Sequence, residues 1–169
     1  MSILNIVKIP DPVLKKKAEP VEAVTDDIRK QIDDMFETMY EAPGIGLAAN
    51  QIGKLNRVLV MHVKYDDVDT GPIAMINSEK IWESAEYVDS EEGCLSIPGQ
   101  YATVQRPKSV KVRYLNISGQ EEEYETSDLP AICISHEMDH LNGILFIDHL
   151  SGLKRDMIIK KFLKQHKQS

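Results

Sequence analysis

The segment His136-Glu137-Met138-Asp139-His140 constrains this chain more than any other feature in it. Positions i and i+4 share one face of an α-helix, so two imidazoles can turn toward one ion while Glu137 stands beside it. The flanks fit a helix. Ser127-Asp128-Leu129-Pro130 places capping residues ahead of a helix-start proline, and Asn142-Gly143 offers a left-handed stop. Two hydrogen-bonded core histidines would share this spacing. A capped, apolar helix with an acid between them points instead to a metal site.

A catalytic ion of this kind usually takes three protein ligands and keeps one position for water. A downstream glutamate is excluded, because Glu137 is the last glutamate in the sequence. The longer H-E-x-x-H-x-x-G-x-x-H pattern has its glycine, Gly143, but Phe146 stands where the third histidine belongs and His149 comes three residues late. Asp148 and Asp156 have nothing in their context to favour them. Cys133, three residues before His136 on the same helix, borders the site rather than completing it. Cys94 lies in the turn-rich stretch Glu91-Glu92-Gly93-Cys94-Leu95-Ser96-Ile97-Pro98. The ligand set read from the sequence is therefore Cys94, His136 and His140. One thiolate and two imidazoles suit Fe(II), Zn, Ni or Co, and the sequence does not choose among them.

The remaining elements follow from periodicity and turn chemistry. A helix is predicted over 25–40, with Thr25 as cap and Ile28, Ile32, Met35, Phe36 and Met39 on one face. Pro43-Gly44 ends it, and Gly44-Ile45-Gly46 makes a glycine-rich bend. Strands are expected at Arg57 to Val63, more loosely at Ile73 to Ile76, then at Trp82 to Val88 and Val110 to Leu115. Ser118-Gly119 turns the last of these into Glu121 to Glu125. A final helix runs from about Ser151 to His166. The fold class expected is α+β, with mostly antiparallel sheets around a central metal-binding helix and helices at both ends.

At 169 residues, 42% hydrophobic and 28% charged, the chain suits one catalytic domain spanning 1–169. No apolar run approaches the roughly 18–20 residues that span a bilayer, and Met1 opens no signal-peptide pattern. With only two cysteines, a reducing, cytoplasmic setting is expected, without a membrane partner. A net charge of −7 argues against a general nucleic-acid binder or a specific DNA partner. The charge is uneven: residues 151–169 carry Lys154, Arg155, Lys160, Lys161, Lys164 and Lys167 against Asp156 alone. That stretch holds +5 and leaves −12 on residues 1–150.

Three separated motifs, Gly44-Ile45-Gly46-Leu47-Ala48-Ala49-Asn50-Gln51, Glu92-Gly93-Cys94-Leu95-Ser96 and His136-Glu137-Met138-Asp139-His140-Leu141-Asn142-Gly143, together resemble those of peptide deformylase. Their order and spacing match along essentially the whole chain, and the basic C-terminal helix is similar to that of the bacterial type I branch. The sequence departs at Ser135, where the family often has glutamine, and at Tyr101, where some bacterial members carry arginine.

The resemblance implies a hydrolase that removes the formyl group from the N-terminal methionine of nascent chains, with one divalent ion, Fe(II) in the native state. It implies Glu137 as general base and then acid. It gives the Gln51 side-chain amide and the Leu95 backbone N–H as oxyanion donors. Gly44, Gly46 and Gly93 would let the backbone approach an extended peptide, and Ile45, Leu95, Ile132 and Cys133 would line the methionine pocket. The basic 151–169 helix would dock on ribosomal RNA phosphate. Two other readings remain open at this stage: a zinc peptidase acting on internal bonds, and a binding protein with a structural metal.

Overall fold

The computed structural model describes residues 2–166; Met1 and Lys167 lie outside the described residues. The first helix, α1 (Asp26–Glu41), begins where Thr25 Oγ1 accepts from the Ile28 N–H at 3.3 Å. It buries Ile32, Met35 and Met39 along the predicted face.

That face covers one side of a five-stranded antiparallel sheet, β1 (Gly46–Ala48), β2 (Val58–Met61), β5 (Ile73–Glu83), β8 (Ser109–Leu115) and β9 (Glu121–Ser127), in the order β1-β2-β5-β8-β9. The other side is covered by α2 (Leu129–Leu141), the helix that carries the histidines. Strand β2 shows the division. Val58 and Val60 pack with Met35 and Met39 of α1, whereas Leu59 and Met61 pack with Ala131 and Ile134 of α2. All four residues of β2 are fully buried, which is why this strand reads as an apolar run rather than an alternation.

Two further sheets are hairpins: β3 (Lys64–Tyr65) with β4 (Val68–Asp69), and the longer β6 (Tyr87–Cys94) with β7 (Ile97–Pro107). The long hairpin lies over a separate apolar cluster. Ile97 and Val104 meet Phe146, Ile147 and, from α3 (Gly152–His166), Phe162. The α+β architecture, the antiparallel pairing and the position of α2 follow the expectation.

Three expectations need correction. Trp82 to Val88 is not one strand: Trp82 and Glu83 end β5 in the large sheet, and Tyr87 opens β6 in the hairpin. Period-2 patterning does not register a change of sheet, and the break is made by polar groups, with the Ser84 hydroxyl donating to the Glu86 carbonyl at 2.8 Å. Strand β5 extends seven residues beyond Ile76, through register shifts that spoil the alternation and through Asn77 at φ 55°. Strand β7 is absent from the sequence reading because Pro98 and Gly99 look like breakers. In a two-stranded ribbon both are tolerated, since each strand has a free edge.

Two local details also differ. Gly46 belongs to β1 rather than to a bend. Asp128 starts α2 from φ 62° without a side-chain capping bond, so the proline and not the cap marks the start.

Candidate metal centre

Cys94 ends β6 just past a register shift between Glu92 and Cys94, an irregularity that re-aims the strand's last side chain. His136 and His140 project one turn apart from α2, with ring centroids 5.0 Å apart. The donor atoms of Cys94, His136 and His140 all lie within 4.8 Å of one another, and Cys94 Sγ stands 3.2 Å from His140 Nε2. An ion about 2.3 Å from sulfur and about 2.0–2.1 Å from nitrogen, in tetrahedral geometry, needs an S···N separation of roughly 3.5 Å. The three donors fit such an ion.

The surroundings of the donors also suit it. Burial holds His140 well below the usual imidazole range, so it stands in the neutral form, the one able to bind a metal. Its Nδ1 is buried without a hydrogen-bond partner among the described residues. His136 Nδ1 is 2.9 Å from Glu92 Oε1; against the opposing effect of burial, hydrogen bonds to Cys94 and Glu92 raise this imidazole's pKa well above its usual range, so an ion held there takes the place of a proton. The Cys94 sulfur accepts from Ser96 N and Gln51 Nε2, each at 3.5 Å.

Glu137 is 5% exposed, and its Oε1 has no hydrogen-bond partner among the described residues. Burial pushes its carboxyl up to about 7, with Glu92 and Asp139 acting in the same sense against the pull of His136 and Arg106. A carboxylate tuned to neutrality beside three metal-type donors is equipped for proton transfer from water.

The site lies in a cleft of about 480 Å³ lined by Gly44, Ile45, Gly46, Gln51, Gly93, Cys94, Leu95, Ile132, Cys133, His136 and Glu137. His140 lies deeper, 1% exposed. The structure thus gathers all the residues singled out from the sequence around one centre. Gln51 is fixed at both ends of its amide: Oε1 accepts from Ala48 N at 3.0 Å, and Nε2 donates to Ser96 Oγ at 3.1 Å. Gly46 touches the acid directly, since a β-carbon there would stand 2.6 Å from Glu137 Oε2 and 2.7 Å from Cys133 Sγ. Cys133 is held as a thiol, because burial pushes its pKa well up, and it donates to the Ile45 carbonyl at 3.5 Å. Tyr101, 65% exposed, stands over Gly93 at the rim.

The residues without a ligand context are otherwise engaged. Asp148 pairs with Lys15 and accepts from Leu145 N, and His149 pairs with Asp139. Sequence reading missed Glu92 as a partner of His136, and Arg106 as the partner of Glu92. Glu92 stands in a quoted motif, but Arg106 is on β7, the strand hidden by Pro98 and Gly99.

The sequence profile of the polypeptide deformylase family matches residues 3–156. The chain belongs to the peptide deformylase family. It is 51% identical over 167 residues to the peptide deformylase of Phenylobacterium zucineum, covering 99% of both chains. With that of Mesorhizobium japonicum it shares 53% over 165 residues, 97% of this chain and 93% of the other. The crystal structure of the Ehrlichia chaffeensis peptide deformylase superposes with a TM-score of 0.93 at 42% identity, covering 97% of each chain. Peptide deformylases are metallohydrolases that remove the N-terminal formyl group of nascent polypeptides, and that is the activity of this chain.

Proposed function

We propose that Cys94, His136 and His140 hold one divalent ion at the base of the cleft, and that the N-terminal formyl-methionine of a nascent chain is hydrolysed there to formate and a free amine. The observation that carries this reading is the convergence of three donor atoms within 4.8 Å beside the buried Glu137. A bound divalent ion supplies Lewis-acid polarisation of the formyl oxygen and makes water acidic enough to attack near neutral pH. Fe(II) is the native ion in this reading; Zn, Ni and Co suit the same donors.

The protein's own groups do the rest. Glu137 takes the proton of the attacking water and returns it to the departing amine, as base and then acid. The oxyanion on the formyl carbon draws on Gln51 Nε2 and the Leu95 backbone N–H. The amide of Gln51 is presented on the Cys94 side, 3.5 Å from the sulfur, by its bonds to Ala48 and Ser96. The peptide adds as a strand along β1, an edge of the five-stranded sheet, beside Gly44 and Gly46. Ile45, Leu95, Ile132, Cys133 and Gly93 shape the methionine pocket.

The whole chain, 1–169, acts as one catalytic domain in the cytoplasm, with no specific DNA partner and no membrane partner. None of the described helices is long and apolar enough to cross a membrane. Helix α3 docks on ribosomal RNA phosphate through Lys154, Arg155, Lys160, Lys161 and Lys164, all exposed. Removing the helix is a poor test of docking, because Phe162 is buried in the cluster under the hairpin and Gln165 accepts from Gln100. Reversing Lys160, Lys161 and Lys164 to glutamate keeps that packing. It weakens ribosome binding while formate release from a short peptide persists; undiminished binding refutes the docking.

The central test is formate release from formyl-Met-Ala-Ser by protein loaded anaerobically with Fe(II), beside Glu137→Ala. Release in the wild type and its loss in the variant support the reaction and the base together. No release from the loaded wild type overturns the assignment.

A further inference from the structure

Behind the proposed ligands lies a chain of charges that the reaction does not use. Arg106 of β7 is 3% exposed and meets two acids. Its Nε and Nη2 fork onto Glu92, at 2.8 Å to Oε2 and 2.8 Å to Oε1. Its Nη1 donates to Asp139 Oδ2 at 2.6 Å. Glu92 Oε1 is shared with His136 Nδ1, and Asp139 immediately precedes His140 on α2. Asp139 Oδ2 is also 2.8 Å from His149 Nε2, on the short helix Phe146–His149.

Building on the ligand assignment above, we propose that Arg106 is the positioning residue of the metal centre, aligning His136 through Glu92 and fixing the helix at His140 through Asp139, with His149 closing the clamp from outside.

A ligating histidine needs an acceptor on its other ring nitrogen to fix tautomer and ring angle. A carboxylate as buried as Glu92 is a costly acceptor unless a cation and further hydrogen bonds satisfy it. A planar guanidinium can serve two carboxylates at once in a fixed relation, which a lysine cannot. Glu92 is on β6 and Asp139 on α2, so the fork ties the hairpin that carries Cys94 to the helix that carries both histidines. Asp139 Oδ2 serves two donors. Taking away His149 leaves Arg106 as the only one of the two and loosens the far end of the clamp.

The test reads metal binding directly. Co(II) affinity is measured by chelator competition, with the sulfur-to-cobalt absorption band as a signature of the centre, on wild type, Arg106→Lys, Asp139→Asn, His149→Ala and His149→Gln. Thermal unfolding of the metal-free proteins runs alongside. Arg106→Lys and Asp139→Asn are expected to bind Co(II) about 10–100-fold more weakly, with an altered band. His149→Ala follows in the same direction to a smaller extent, and His149→Gln, which restores an N–H donor, recovers most of the loss.

Co(II) affinity and band equal to wild type in Asp139→Asn and Arg106→Lys overturn the proposal. So does a fall in metal-free stability with an unchanged band, since that is a structural role only. A wild type that gives no sulfur-to-cobalt band instead overturns the ligand assignment beneath, so the two failures are distinguishable.

Discussion

Gly46 and Glu137 are in such close contact that a methyl group on the glycine would stand 2.6 Å from the carboxylate oxygen Oε2 and 2.9 Å from Cγ. Glu137, the proposed base, is thus held by the absence of a side chain on a neighbouring strand. Gly46→Ala is expected to displace Glu137 rather than to unfold the sheet. A misplacement of the order of 1 Å costs roughly 10²-fold in rate. The check is kcat/KM beside the melting temperature: a large loss in the first with little change in the second is expected, and unchanged turnover would contradict it.

Glu137→Gln keeps the size of the side chain and removes its basicity. Formate release is expected to fall by about 10²–10⁴-fold, while Co(II) or Zn(II) still binds at one equivalent. Loss of metal together with activity would instead place Glu137 among the ligands.

Gln51 is tied down on both sides, so Gln51→Ala leaves Ala48 N without its acceptor as well as removing the donor beside Cys94. The expected loss in kcat is about 10²–10³-fold. A change confined to KM would show that the amide binds the ground state rather than the transition state.

Much of the site is legible in the sequence for a simple reason. His136, Glu137 and His140 are set by helical periodicity, which depends only on local spacing, and Cys94 is reached by elimination among few soft ligands. The glycines are legible as glycines, but their reason is not. Only the fold reveals that Gly46 faces Glu137, on an element 91 positions later in the chain. Arg106 escapes notice because its role depends on a hairpin register, Glu92 with Ala102 and Val88 with Arg106, across a strand interrupted by proline and glycine. Trp82 and Tyr87 show the complementary failure: both look extended, and nothing in their alternation says that they belong to different sheets.

A cysteine thiolate beside Fe(II) invites oxidation, since thiolates climb readily to sulfenic and higher acids. Activity of the Fe(II)-loaded protein is expected to decay in air and to persist under strict anaerobiosis, with mass spectrometry finding the added oxygen on Cys94 and not on the buried, protonated Cys133. Equal decay in both atmospheres would contradict this.

Tyr114 gives the alkaline limb of stability. Burial, reinforced by Glu122 opposite it, pushes its phenol up to about 12 from an ordinary 10. The unfolded chain therefore releases this proton first. The stability tied to Tyr114 is whole below pH 10 and is lost as the pH rises through about 12. Tyr114→Phe should flatten the decline of the urea midpoint across that window. An unaltered slope would show that the phenol ionises alike in both states.

In the proposed mode of binding β1, an edge of the five-stranded sheet, pairs with a peptide's main chain, and every polypeptide presents the same main chain. Under that proposal selectivity is concentrated at the first residue, where the cleft stands, because main-chain pairing does not depend on the side chains beyond it. Generality in such an enzyme is not looseness of fit. It comes from reading the one part of a protein that never varies.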